Sequence, residues 1–400
     1  MPATSAERMR NWEGPALLTY GFRPFFLLGA VWAALAMMLW VFMLAGALSL
    51  PTRFDPVSWH AHEFLFGYLG AIIAGFVLTA VPNWTGRLPV VGWSLGGLVL
   101  LWAAGRAAVL MSGLPPAWVA PATDLAFPVV LGAVLLREIV AGKNWRNLVV
   151  LALLGVFALA NLIFHLEAAR GGYAAQGYGL RLGLSAVIGM IALIGGRIVP
   201  SFTRNWLVKR GSTRLPAPPM QRFDKVTLLA TFLALLAWTL GPHHAATGAG
   251  FLGIAALHGA RLARWRGHRT VAEPLVLVLH VAYAFVPLGA LALGLSILRP
   301  GLIGDASAQH VWMAGAMGLM TLAVMTRATL GHTGQALHSD GPTMAIYAAL
   351  VGSVIARLLA DLLPAHIGYE ISAVLWVTAF AGFAIFFGSS LLRRKGTLSS

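Results

Sequence analysis

Apolar residues run along this chain in long, nearly unbroken stretches separated by short polar or basic joints, and no stretch alternates in the way a strand would. Each stretch is close to the roughly 20 residues that a helix needs to cross about 30 Å of hydrocarbon. The pattern predicts about twelve transmembrane helices, at 25–48, 59–82, 91–111, 117–141, 145–167, 178–200, 223–242, 245–265, 272–297, 306–328, 341–363 and 366–390. A membrane β-barrel would alternate apolar and polar positions, and is excluded on that ground. The expected fold is therefore an all-α integral membrane protein. It has an N-terminal interfacial segment (1–24), a single polytopic domain (25–390) and a short tail (391–400).

The ends of the second, sixth and tenth stretches look alike. They read Ala80-Val81-Pro82-Asn83-Trp84-Thr85, Ile198-Val199-Pro200-Ser201-Phe202-Thr203 and, more loosely, Ala323-Val324-Met325-Thr326-Arg327-Ala328-Thr329. The steps between them are roughly 120 residues, a period of four helices. Three blocks (25–141, 145–265 and 272–390) account for this spacing, each with a marked second helix; duplication of scaffold without shared chemistry accounts for it equally well.

Composition agrees: 58% of the 400 residues are hydrophobic and only 10% are charged, which is lipid-solvated rather than water-solvated usage. The 45 glycines suit helices that pack closely in a bilayer. A net charge of +15 would suggest nucleic acid, but its placement follows a membrane rule instead. Basic residues gather on alternate joints: Arg8, Arg10 and Arg23, then Arg87, then Arg137, Lys143 and Arg146. They are densest in the loops around 197–225 and 261–269, and continue with Arg327 and with Arg393, Arg394 and Lys395. The opposite joints hold only Arg53, Arg170, Arg181 and Arg299, while Arg106 and Arg357 fall within spans. Both termini are thus expected in the cytoplasm, with the basic loops against anionic lipid and no nucleic-acid partner. The first 24 residues show no apolar stretch with a small-residue cleavage site, so no cleaved signal peptide is expected.

Cysteine is absent, which removes disulfides, iron–sulfur clusters, thiolate-ligated haem and covalent haem attachment. Any metal must be held by His, Met, carboxylate or carbonyl groups. Histidine is costly in hydrocarbon, so the twelve histidines carry the best functional signal. The second span opens Trp59-His60-Ala61-His62-Glu63, and helical geometry turns residues two apart by about 200°, so only one of the two imidazoles can face a given site. The fifth span ends with His165 and the tenth begins with His310, which puts His60, His62, His165 and His310 at one depth near the outer surface. Imidazoles converging from separate helices suit axial ligation of a haem or a copper site completed by a Met sulfur. Met313, Met317, Met320 and Thr321 follow His310 at helical spacing, a stripe that packing alone also explains. For each histidine taken singly, a hydrogen bond to a carbonyl is the plain alternative.

A second group on the inner side holds His258, His280, His332 and His338, with Arg204 and Arg327 close in the topology. His310 and Arg327 are separated by about 25 Å of helix, so one cofactor cannot join the two groups. His280 lies well inside the ninth span, where ligation competes with a hydrogen bond to Tyr or backbone on a neighbouring helix. His243, His244 and His268 sit in turns and read as solvated. There is no phosphate-binding G-x-x-x-x-G-K-[ST] loop, no dinucleotide G-x-G-x-x-G, and no second His four residues after His62 to make a zinc-peptidase pair. Carboxylates within spans are few, with Glu63, Asp124, Asp361 and Glu370 near the ends, which weakens a proton-coupled transporter.

Several long strings resemble the NnrS family of haem- and copper-containing bacterial membrane proteins. They are Gly21-Phe22-Arg23-Pro24-Phe25-Phe26, the run from Trp59 to Arg87, the run from Gly195 to Asn205, and the run from Met325 to Gly334. The resemblance covers essentially the whole chain. It implies a multi-pass protein of the bacterial inner membrane, carrying haem and copper, that supports resistance to nitric oxide. Without cysteine the haem is expected to be non-covalent and b-type. Twelve helices in three blocks also resemble the haem–copper oxidase and nitric oxide reductase superfamily, whose metal ligands lie on helices two, six and ten. The sixth span here holds no histidine, so a copper ligand would come from His165 or elsewhere.

The residues so singled out are His60, His62, His310 and His280 for haem, and His62, His165, His332, Met313 and Met317 for copper. Glu63, Arg181, Arg204 and Arg327 are their polar partners. The expected partner molecule is nitric oxide or a related small molecule, with electrons from a donor that the sequence does not identify. The competing function is a secondary transporter or exporter of a metal complex or small solute.

Overall fold

A computed structural model of the chain describes residues 12–360 and 367–394. The predicted helix ends at 363 and 366, together with Arg8, Arg10, Asp361 and Lys395, lie outside the described residues. Within them there is no strand and there are twelve long helices. These are α1 (Phe22–Leu44), α2 (Pro56–Thr85), α3 (Trp93–Leu110), α4 (Val119–Ala141), α5 (Leu148–Ala169), α6 (Tyr178–Lys209), α7 (Arg222–Leu240), α8 (Ala245–Ala263), α9 (Pro274–Leu298), α10 (Asp305–Thr333), α11 (Gly341–Leu359) and α12 (Ile367–Leu392). All but α8 are long and apolar enough to cross a membrane. The exception has a physical reason: α8 carries four glycines and the buried pair His258 and Arg261 in place of apolar side chains.

Helices α2, α6 and α10 are the longest, at 30, 32 and 29 residues, and the most enclosed. They are the three whose ends look alike in the sequence. Each contains a wide, π-type turn, at Glu63–Tyr68, Ile191–Gly195 and Val311–Leu319. Such a turn inserts an extra residue into the helix and re-aims the side chains around it, a device concentrated at functional positions. All three helices also run past the ends set by hydropathy, because their last turns are polar or basic while remaining helical.

Local signals explain the boundaries. Asp55 caps α2 by accepting from the backbone N–H groups of Val57 and Ser58 at 3.0 and 2.9 Å, with Pro56 at the first helical position. Gly86, at φ +69°, closes α2 in the left-handed conformation that glycine tolerates without strain. The Glu167 carboxylate, at the end of α5, accepts from the N–H groups of Tyr178 and Gly179 at 2.7 and 3.1 Å, placing an anion at the positive end of α6. At α7, Gln221 and Asp224 form a reciprocal capping box.

The chain divides into two compact units. The first holds residues 12–183, 328–336 and 380–394, and so contains α1 to α5. The second holds 184–327, 337–360 and 367–379, with α7, α8, α9 and α11 whole. Helices face inward with polar groups and outward with leucine, as expected where lipid replaces water. In α7, Thr227, Thr231 and Thr239 are buried, while Leu229, Leu233, Leu236 and Leu240 are each more than half exposed. Helices suit this setting because they satisfy their own backbone N–H and C=O groups, for which lipid offers no partner.

Candidate metal centre

In the first unit, α2, α3, α4 and α5 bring a set of charged and polar side chains into one sealed site. The wide turn of α2 begins at Glu63, so the consecutive residues His62 and Glu63 both face it. Arg106 comes from the next-to-last turn of α3, Asp124 from the second turn of α4, and Asn161 and His165 from successive turns of one face of α5. His62 and Glu63 are fully buried, and Arg106, Asp124, Asn161 and His165 are 2–5% exposed.

The bonds within the set are closely spaced. Arg106 donates to Glu63 Oε1 through Nη1 at 2.7 Å and to Asp124 Oδ1 through Nη2. Trp32 Nε1, from α1, donates to Glu63 Oε2 at 2.8 Å, and Asn161 Nδ2 donates to Asp124 Oδ2 at 2.8 Å. His62 Nδ1 lies 3.1 Å from Glu63 Oε1, while its Nε2 lies 3.0 Å from Asn161 Oδ1 and 3.2 Å from Asp124 Oδ2. His165 Nε2 lies 3.1 Å from the same carboxylate oxygen. The two imidazoles meet edge to face with ring centres 4.9 Å apart, and Phe54 stacks on His62 at 5.2 Å.

Two features of this arrangement are chemical rather than structural. Ligand atoms of His62, Asp124 and His165 all lie within 4.8 Å of one another, so a single ion can reach all three. Charge also points to a cation: Glu63 and Asp124 carry two negative charges against one on Arg106, and both nitrogens of His62 face only acceptors. The set is one positive charge short: a proton on His62 makes it neutral, and a divalent metal ion reverses the shortfall to an excess of one. Two imidazoles and a carboxylate are the donors of copper(II), zinc and non-haem iron(II) sites.

The sequence-predicted residues are distributed as follows. His62 and His165 come together, with Glu63 as the predicted polar partner. His60, two residues from His62, points elsewhere as helical geometry requires, and its ring stacks on Trp40 at 4.1 Å and beside Phe64 at 4.4 Å. His332 is not brought to the site; it lies exposed by the first turn of α1, against Phe22 and Tyr20. His310, Met313 and Met317 belong to the second unit. There His310 Nδ1 donates to the Ala306 carbonyl at 2.6 Å, which fixes the ring and makes Nε2 the lone-pair nitrogen. Met317 is buried within the wide turn of α10. Arg181 bonds the Gln176 carbonyl, Arg327 stacks over Phe202 at 4.2 Å, and Arg204 is exposed.

Three members of the site were missed by sequence reasoning: Asp124, Arg106 and Asn161. Asp124 is the eighth residue of its span's predicted range, close enough to the end to read as interfacial. The usable signal is the pairing of the third span's single arginine with Asp124, the one acid of the fourth span that has no basic residue beside it in the sequence, since each makes the other affordable in hydrocarbon.

The inner histidines form a different network in the second unit. Arg261 Nε donates to Asp224 Oδ1 at 2.7 Å, and its Nη1 donates to the Ala192 carbonyl and to Tyr283 Oη at 2.8 and 2.9 Å. Tyr283 in turn donates to His258 Nδ1 at 2.9 Å. His258 Nε2 donates to Thr231 Oγ1 at 2.8 Å, because that hydroxyl already gives its proton to the Thr227 carbonyl. By the same reasoning His280 Nε2 donates to Thr203 Oγ1 at 2.7 Å. His338 is exposed and takes no part.

Fold and site together define a polytopic helical membrane protein with a buried site able to hold a metal ion. Residues 16–395 match the family model described as NnrS protein. The chain belongs to the NnrS family. No curated protein matches it.

Proposed function

We propose that the chain is a haem and copper protein of the bacterial inner membrane that acts on nitric oxide or protects against it, with both termini in the cytoplasm. The observation that carries this reading is the convergence of His62, His165 and Asp124 in a sealed site whose charge calls for a further cation. Copper fits the donor set: imidazole nitrogen is among its common ligands, and the carboxylate favours the divalent state. Bound there, copper would supply redox chemistry. Glu63 and Asn161 hold the imidazole of His62 in place, and Arg106 holds the carboxylate of Asp124. Nitric oxide is small, uncharged and soluble in lipid, so it reaches a buried site without a transport pathway.

The haem is assigned to His310, whose Nδ1 is engaged by a backbone carbonyl in the way that axial imidazoles are commonly oriented. A second reading of the metal site has support in the same donors, since two histidines and one carboxylate also make non-haem iron(II) centres.

Absorption spectra of the detergent-purified protein, oxidised, reduced and reduced with nitric oxide, test the reading when copper and iron are quantified on the same sample. The expected result is a Soret band that shifts on nitric oxide, together with bound copper. His310→Ala should lose the Soret band and keep the copper. Full haem occupancy in that variant would overturn the axial assignment, and iron beyond the haem with no copper would establish the second reading.

A further inference from the structure

A cavity of about 860 Å³ lies at the basic end of the first unit, away from the metal site, between the joint after α2 and the facing ends of α3 and α4. Its size is within the range of pockets that hold small organic molecules. The two halves of its lining differ in character. Arg87, Arg137 and Glu138 form the polar part, whereas Leu101 of α3 and Val130 and Val134 of α4 form an apolar wall. Gly97 lines the same cavity, and nothing lies within 4 Å of where its Cβ would be, so the cleft stays open along α3.

The polar part is organised by a buried acid. Glu138 is 6% exposed and accepts from Arg87 Nε at 2.5 Å and from Arg137 Nε and Nη2 at 2.9 and 2.7 Å. One carboxylate thereby holds two guanidinium groups that remain 43% and 66% exposed. Only some of their donors are engaged on it among the described residues. The net charge of the trio is positive, and guanidinium forks match phosphate oxygens in geometry. Val130 and Gly97 are exposed on helices that otherwise face lipid. A soluble anion would have no use for the apolar wall, and a zwitterionic lipid would leave the positive charge unbalanced.

We infer that this cleft is a binding site for an anionic phospholipid, its phosphate on Arg87 and Arg137 and the start of an acyl chain along Leu101, Val130 and Val134. The site sits where the positive-inside count puts the cytoplasmic leaflet, which is the leaflet rich in anionic headgroups. The glutamate positions the two arginines and does not itself touch the lipid phosphate.

Native mass spectrometry of the full chain reconstituted with phosphatidylglycerol or phosphatidylcholine tests the inference. The wild type should retain phosphatidylglycerol in preference to phosphatidylcholine, and Arg87→Gln and Arg137→Gln should each weaken that retention about fivefold. Leu101→Trp, which fills the cleft and leaves the charges in place, should lower retention of both lipids. Displacement of the lipid by millimolar inorganic phosphate would mark a free-anion site and overturn the lipid assignment. Equal retention of the two lipids by the wild type, or unchanged preference in both single arginine variants, would overturn it as well.

Discussion

The two units each bury an arginine against a carboxylate and join them to histidine, yet the two networks are chemically unlike. In the second, the hydrogen bonds run in one direction, from Arg261 to Tyr283 to His258 to Thr231, and both nitrogens of His258 are engaged by neutral partners. The single acid, Asp224, is matched by the single arginine. That network is balanced in charge as it stands and holds α7, α8 and α9 together. In the first, two acids face one arginine, and both nitrogens of His62 and Nε2 of His165 all face acceptors. That network is one positive charge short until His62 is protonated or a metal ion is bound. The same residue types thus make a brace in one unit and a candidate ligand set in the other. The excess acid and the second imidazole set them apart.

Removing the central cation of the first network is the most severe way to break the comparison. Arg106→Met leaves Glu63 and Asp124 buried without their shared partner, and should destabilise the protein by about 3–5 kcal/mol. Thermal unfolding in detergent would register it, and a small loss would mean that the acids do not rely on Arg106. A milder lesion sharpens the contrast in the other unit. Tyr283→Phe deletes the hydroxyl that links Arg261 to His258, at a cost of about 1–3 kcal/mol. Bound metal should be unchanged in that variant, and lost metal would show that the second network is not merely a brace.

The smallest effect lies at the start of α11. Asp340 accepts from the N–H of Thr343 at 3.0 Å, and its bonds to Thr343 hold its carboxyl below the ordinary value of 3.8. A lowered pKa stabilises the fold while the pH is above the ordinary carboxylate value, and that stabilisation fades as the pH falls through the lowered one. Asp340→Ala should therefore cost about 1 kcal/mol at neutral pH and nothing in strong acid. Stability measured against pH for both proteins checks this.

The twelve helices were legible because hydropathy is written residue by residue, and each span carries its own signal. Even α8, which is too polar to count as a span, shows the helix that was expected at 245–265. The site was legible only in part. His62 and His165 stood out because histidine is rare in lipid and their depths agreed. Asp124 and Arg106 did not, because their burial arises from the packing of α3 against α4, and a sequence does not state which neighbours a helix has. Topology alone groups His332 with the inner histidines, and a shared level along the membrane does not bring side chains into contact. The wide turn that aims both His62 and Glu63 inward leaves no mark in the pattern of apolar residues, since π-type turns use the same residues as ordinary helix.

The metal content of purified wild type and of His165→Ala decides whether the buried site of the first unit holds copper. His165 is chosen because it leaves the Arg106 contacts with Glu63 and Asp124 in place. The expected result is copper in the wild type, at least a tenfold weaker hold on it in the variant, and a fold and haem content unchanged between the two. Equal copper in both proteins, or none in a wild type prepared with copper supplied, would contradict it.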